Sequence, residues 1–379
     1  MSPPIAISSV NGNTKISTNK RRVAVAMSGG VDSSVAAALL LEQGYDVIGM
    51  MMRLWSEPGS TTQTTLNRCC TPEQMADARR VAEKLQIPFY VLDVQEYFYK
   101  KVVQYFIQGH DLGITPNPCI ECNRVIRFDY LLKHALSLGV DYLATGHYAR
   151  IRQSSDGYHL LESVDRSKDQ SYVLHVLGQN ELARVIFPIG EFTKVQVREL
   201  AVHFQIPVAN KSESMDLCFL KDGDYRRFLR ENSKVKGEPG PIISPDGVVL
   251  GKHSGLSNYT IGQRKGLQIM AEQPMYVLRK DRHHNSLIVA PRVALNMDCL
   301  HCREINWVSS QLPISPFPAR VKVRYRAEAT PAMVTPLASA QASIRFEDPV
   351  FGITAGQGAV IYIDEECIGG GIIVNKECP

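Results

Sequence analysis

Between Arg22 and about Val208, apolar runs of strand length alternate with stretches that carry apolar residues on one helical face. That alternation predicts an α/β domain with a mostly parallel sheet. Val23-Ala24-Val25-Ala26 is continuous and partly β-branched, as a strand buried on both faces is. Further strands are predicted at Tyr45 to Met52, Ile87 to Asp93 and Asp141 to His147. A helix starts where Thr71 can cap, Pro72 occupies the first helical position and Gln74 closes a capping box, and it runs to about Gln86. Others are predicted from Glu96 to Gln108, Arg124 to Leu138 and Thr193 to Phe204. After Asn210 the pattern breaks into short segments punctuated by Gly237-Glu238-Pro239-Gly240-Pro241 and Pro245-Asp246-Gly247, which predicts a small connecting domain over 211–275. From 276 to 379 short strands at Tyr276 to Arg279, Ser286 to Ala290, Arg320 to Ala327, Ala342 to Phe346 and Ala359 to Asp364 predict a β-barrel. The first domain is then 21–210.

Composition narrows the class. At 379 residues the chain exceeds one compact core. No apolar run approaches a membrane span. Residues 1–20 lack acids and lack the apolar core of a secretory signal, and read as a disordered tail. Nine cysteines, an odd number, without a secretion signal point to thiols in a cytoplasmic protein. A net charge of +4 permits a polyanionic partner without requiring one.

The first strand feeds Ser28-Gly29-Gly30 and an Ala/Leu-rich helix. Two glycines allow close backbone approach, and the amides of a helix's first turn are an anion site, with Ser28, Ser33 and Ser34 as further donors. The lysine and spacing of a Walker loop are missing, as is the G-x-G-x-x-G fingerprint. SGGVDS resembles the PP-loop of enzymes that cleave ATP between the α and β phosphates. Gly30, Met52 and Gly146 all fall at predicted strand ends, where open α/β sheets bind ligands.

Cys119 and Cys122 lie three apart in a proline-stiffened loop before a helix, where the dipole, Arg124 and Arg127 favour a reactive Cys122 thiolate. Cys218 follows the α/β domain. A zinc clip shared with Cys299 and Cys302, or buried structural thiols, are the plainer readings. Cys69 and Cys70, being adjacent, read as structural or accessory. In Arg320 to Ala327 strict alternation places four cations, Arg320, Lys322, Arg324 and Arg326, on one strand face, a stripe suited to phosphates.

SGGVDSS, NPCIECN, ATGHYAR, KDQSYVL, the LCF segment, TIGQRKGL and the closing GGGII, in this order from Arg22 onward, resemble the tRNA-specific 2-thiouridylase family. The resemblance implies a Rossmann-like PP-loop domain, a small adaptor domain and a C-terminal barrel that binds tRNA. The implied reaction converts the wobble uridine of tRNA to 2-thiouridine with ATP and Mg²⁺, adenylating the uracil oxygen and releasing AMP and pyrophosphate. Ala26, Met27, Ser28, Gly29, Gly30, Val31, Asp32, Ser33, Met52 and Gly146 would bind ATP, with Asp32 a candidate to position the Mg²⁺. Asn117, Pro118 and Cys119 would meet the target base. Lys168, Asp169, Gln170, Arg324, Tyr325, His147 and Gln357 would contact the anticodon stem-loop. Cys122 would be the nucleophile and Cys218 the persulfide carrier, charged by a cysteine desulfurase or a sulfur-relay protein. Many members of the family carry Asp at the position of Cys119. Cys119, Cys122 and Cys218 together resemble the trio that holds a [4Fe–4S] cluster in some thiolation enzymes, a ligation open to thiolates. The persulfide route is the working expectation and the cluster its alternative. The competing function is another PP-loop synthetase that adenylates a small molecule, which would have no need of Cys122 and Cys218.

Overall fold

The computed structural model describes residues 20–58, 71–211, 217–233, 237–309 and 311–374. The tail 1–19 and the Cys69-Cys70 pair lie outside the described residues. β1 (Arg22–Ala26), β2 (Asp46–Arg53), β3 (Phe89–Asp93), β4 (Tyr142–Thr145) and β7 (Val185–Ile186) form a parallel sheet in the order β3-β2-β1-β4-β7. The hairpin β5 (Ala149–Ser154) and β6 (Gly157–Glu162) leaves this sheet after β4. α1 (Val31–Glu42) packs on β1, with Val35 to Ala37 and Leu40 fully buried against Val23, Val25 and Met51. α2 (Pro72–Leu85) starts as expected: Thr71 accepts from Gln74, Gln74 returns the bond, and Gln86 ends the helix in the left-handed region.

The cysteine-bearing helix differs from its prediction. It begins at Pro118, capped by the Asn117 carboxamide, which accepts from the amides of Cys119 at 3.0 Å and Ile120 at 3.2 Å. It continues through a π-helical stretch, Cys122–Leu131, into α turns at Leu132–Ser137. The run from Gln95 to Asp111 likewise contains a π segment, Tyr99–Val103. Such wider turns leave no mark in hydrophobic spacing and often lie at functional sites.

The strands at Tyr276 and Ser286 do not belong to the barrel. β8 (Gly240–Ile243), β9 (Val249–His253), β10 (Met275–Asp281) and β11 (Ser286–Pro291) make a separate four-stranded sheet, because Leu287 and Ile288 pair with Ile242 and Ile243. The barrel comprises β12 (Asn296–Trp307), β13 (Phe317–Lys322), β14 (Thr330–Leu337), β15 (Gln341–Phe351), β16 (Gly358–Ile363) and β17 (Glu366–Val374). It closes where β12 pairs with β17. β6 adds to β17 through Leu160↔Cys367 and Leu161↔Glu366, so one sheet runs from the first domain into the barrel. The principal core follows that seam: Leu143 and Ile126 share a cluster with Leu160, Val360, Tyr362 and Cys367.

The expected stripe of four cations is also corrected. β13 ends at Lys322, the last register position against β16, and the chain then turns. Arg320 lies against Glu162 and the carbonyl of Asp364. Arg324 reaches back to the carbonyl of Phe351 at 3.4 Å and lies over that ring. Among the described residues no helix is long and apolar enough to cross a membrane.

Candidate active site

The loop after β1 takes its shape from contacts that exclude side chains. Gly29 adopts φ +70°, and a Cβ there would stand 2.3 Å from the carbonyl oxygen of Gln74 in α2. Gly146, at the end of β4, is equally constrained: a Cβ would stand 2.7 Å from the amide nitrogen of Ser33. Only glycine allows the two strand ends to meet across the start of α1. Ser34 is buried and donates to the carbonyl of Gly30 at 2.7 Å, so its hydroxyl shapes the loop and does not face a ligand.

Two lysines that sequence motifs did not flag converge here. Lys194 places Nζ 2.6 Å from Oδ1 of Asp32, which also accepts the Tyr148 hydroxyl at 2.8 Å. Lys211 donates to the carbonyl of Gly29 at 3.0 Å and to Asp77 at 2.6 Å. Buried Asp77 is kept below the usual carboxylate range by Lys211 and Arg80, which outweigh its desolvation. Both lysines are far from the loop in sequence and carry no motif spacing, so only the fold reveals them.

A cavity of about 2050 Å³ joins this loop to the cysteines. Ala26, Met27, Ser28, Gly30, Val31, Asp32, Ser33, Met52 and Gly146 line it, with Lys194 and Lys211. So do Asn117, Pro118, Cys119, Cys122 and Cys218, and Lys168, Asp169, Gln170, Lys322, Tyr325, Arg326 and Gln357. Gly29 and Arg324 are not part of the wall.

The thiols are placed differently from one another. Cys119 is exposed and lies in the first turn of its helix, nearer the positive end of the dipole than Cys122, which is 8% exposed. Arg124, expected beside Cys122, instead pairs with Glu121 at 2.6 Å, and Arg127 donates to His147. Cys218 lies in a turn closed by Leu220 N–H to the Leu217 carbonyl. Phe219 anchors that turn among Phe98, Phe106 and Phe228, and truncating such a plug costs about 3–5 kcal/mol. Glu57 ties the same turn down, accepting from Arg227 at 2.6 and 2.7 Å and from the Lys221 amide at 3.3 Å. All three cysteines are thiols rather than disulfides. Among the described residues no three His, Cys, Asp or Glu side chains stand close enough to hold a metal ion. The zinc clip is therefore not assembled among the described residues.

Several residues expected at the RNA line the cavity and also make internal hydrogen bonds. Asp169 accepts from Ser171 Oγ at 2.6 Å and from the Ser163 amide at 2.9 Å, and burial raises its pKa. Gln170 accepts from the Tyr148 amide at 2.9 Å. Gln357 donates to the Thr115 carbonyl at 2.8 Å, stitching a barrel loop to the cysteine loop. His147 is only 4% exposed. Its Nδ1 lies 2.7 Å from Thr145 Oγ1 and its Nε2 2.8 Å from Arg127.

A parallel sheet carrying an SGG phosphate loop at its carboxyl edge, with facing thiols, defines a PP-loop nucleotide enzyme. Residues 21–222 match the profile described as tRNA methyl transferase HUP domain, residues 226–291 the tRNA methyl transferase PRC-barrel domain, and residues 297–373 the aminomethyltransferase beta-barrel domain. The chain is 46% identical over 368 residues to the tRNA-specific 2-thiouridylase MnmA of Roseiflexus castenholzii, covering 93% of this chain and 99% of that one. It is 48% identical over 356 residues to the protein of the same name from Chloroflexus aurantiacus, covering 94% and 99%. The chain belongs to the tRNA-specific 2-thiouridylase family.

Proposed function

We propose that this protein uses ATP to adenylate O2 of the wobble uridine of a tRNA and then replaces that oxygen with sulfur. One observation carries the reading: the phosphate loop and Cys119, Cys122 and Cys218 open onto a single cavity. A uracil oxygen leaves poorly, and adenylation converts it into part of AMP. Sulfur arrives as a persulfide on Cys218, charged by a desulfurase or relay protein. The Cys122 thiolate attacks Sγ of Cys218, the sulfur–sulfur bond of the persulfide breaks, and hydrosulfide leaves with the electron pair. Hydrosulfide adds at C2 as AMP departs. The resulting Cys122–Cys218 disulfide takes two electrons from a thiol reductant to reset.

Asp32, the acid in the first turn of α1, faces the cavity and suits a hard cation. Mg²⁺ there would neutralise phosphate charge. Lys194 and Lys211 bring two further cations to the loop, and Lys168, Lys322 and Arg326 give the same cavity the charge an RNA backbone requires. Asn117 and Pro118 form the stiff rim on which an extruded base would rest.

The test is mass spectrometry of nucleosides from tRNA incubated with the protein, ATP and a sulfide source. 2-Thiouridine, dependent on ATP and accompanied by pyrophosphate, is expected. ATP turnover with a small carboxylate or carbonyl in place of tRNA, unaffected by Cys122→Ser and Cys218→Ser, would establish the small-molecule synthetase instead.

A further inference from the structure

We propose that Arg127 is a catalytic residue that holds the α-phosphate of the nucleotide, and that His147 is the residue that positions it. The inference rests on the adenylation reading and adds a group to it. An arginine only donates hydrogen bonds, so Nε2 of His147, 2.8 Å from Arg127, must be the acceptor. The ring proton is then on Nδ1 and is donated to Thr145 Oγ1 at 2.7 Å. The ring is clasped between Phe187, edge-on at 5.9 Å, and Phe128, also at 5.9 Å. Burial, and then the Arg127 charge, keep the imidazole neutral. A buried histidine and a threonine thus fix one guanidinium on the cavity wall.

The position of that guanidinium is set from two sides. Gly146, adjacent to His147, abuts Ser33 of the phosphate loop, while Arg127 is on the helix of Cys119 and Cys122. The charge lies on the wall of the cavity that the loop and the thiols share. By chemistry the α-phosphate lies there too, because it is bonded first to pyrophosphate and then to the base. In the first step O2 attacks the α-phosphorus, and the bond to the β-phosphate oxygen breaks with its electron pair leaving on pyrophosphate. In the second, hydrosulfide adds at C2 and the C2–O2 bond breaks with its pair on AMP, whose phosphoryl group gains a negative charge. A preorganised guanidinium stabilises charge developing in both steps.

Four variants test this once the wild type has been shown to form 2-thiouridine; a wild type that does not would overturn the underlying reading instead. Arg127→Gln can still donate to His147 but lacks the charge. It should lower pyrophosphate release at saturating ATP and tRNA by about 10²–10³-fold, with tRNA affinity changed less than about twofold. Arg127→Lys should recover about tenfold over Arg127→Gln, as a point charge without the fork. His147→Gln, which can still accept from Arg127, should retain most activity. His147→Leu should match Arg127→Gln, and the two together should be no slower than either alone. Undiminished release in folded Arg127→Gln, or a loss confined to tRNA affinity, would overturn the catalytic role. Full activity in His147→Leu would overturn the positioning role.

Discussion

Oδ1 of Asp32 accepts both the Lys194 ammonium at 2.6 Å and the Tyr148 hydroxyl at 2.8 Å. Lys194 comes from the helix Lys194–His203 and Tyr148 from the connection between β4 and β5. The acid of the phosphate loop is therefore pinned from two directions before any phosphate arrives. Asp32→Ala should abolish pyrophosphate release, and Lys194→Met should lower it by about 10²-fold, the usual effect of removing one preorganised donor. Affinity for tRNA, measured separately by filter binding, should stay within about twofold, because both side chains are engaged with each other at the phosphate loop. Normal release in both variants would remove the phosphate-loop assignment.

The arrangement of the thiols makes a second expectation. Cys122→Ser and Cys218→Ser should each lower 2-thiouridine formation by roughly 10³-fold or more, as loss of a covalent participant does. Cys119→Ala should keep activity within about threefold, in enzyme containing no iron. Nucleoside mass spectrometry with metal analysis decides it, and activity appearing only after iron reconstitution would reverse the assignment.

Salt dependence should separate cations that the chain's alternation grouped together. Lys322 and Arg326 line the cavity, whereas Arg324 is folded back on Phe351. Replacing Lys322 and Arg326 with Ala should reduce the slope of log affinity against log salt by about 1.5–2, and Arg324→Ala should leave it nearly unchanged. Equal effects from all three would restore the continuous stripe.

Buried His175 predicts acid sensitivity. Its pKa is lowered to about 4 by burial, although its Nδ1–H reaches the carbonyl of Tyr172 at 2.7 Å. The unfolded chain binds this proton near pH 6.5 and the folded chain does not, so stability present above pH 6.5 is lost as pH falls toward 4. The loss from this group is on the order of 3 kcal/mol. His159 acts with opposite sign: Glu366 and Asp156 raise its pKa, so its contribution is complete below pH 6.5 and fades as pH rises through the raised value. Denaturant titrations at several pH values should show His175→Gln flattening the acid limb and His159→Gln steepening it.

The strand–loop–helix unit from Arg22 to Glu42 and the capped start of α2 were legible in the chain because each depends on neighbouring residues: an apolar run, two glycines, a Thr-Pro-Glu-Gln box. The cysteine loop was legible for the same reason. Lys194 and Lys211 were not, since a lone lysine looks like solvated surface until the fold brings it 162 and 182 residues back to the loop. Short β10 and β11 gave no hint of which sheet would take them, because pairing partners are chosen by tertiary contacts. Alternation from Arg320 to Arg326 suggested one strand, but β13 lacks a neighbour beyond Lys322 and the chain turns there.

The sheet shared between β6 and β17 makes the molecule hard to dissect. Gly146 to Tyr148 spans the interval between β4 and β5, so three consecutive residues lead from the nucleotide sheet to the barrel sheet. A fragment ending before the barrel would expose β6 as a bare edge and leave Tyr362 and Cys367 out of the core they complete. Recombinant halves should aggregate where the intact chain melts as one cooperative unit. A displacement of β17 reaches the segment beside the phosphate loop through two hydrogen-bonded ladders, β17 to β6 and β6 to β5, and then the chain itself.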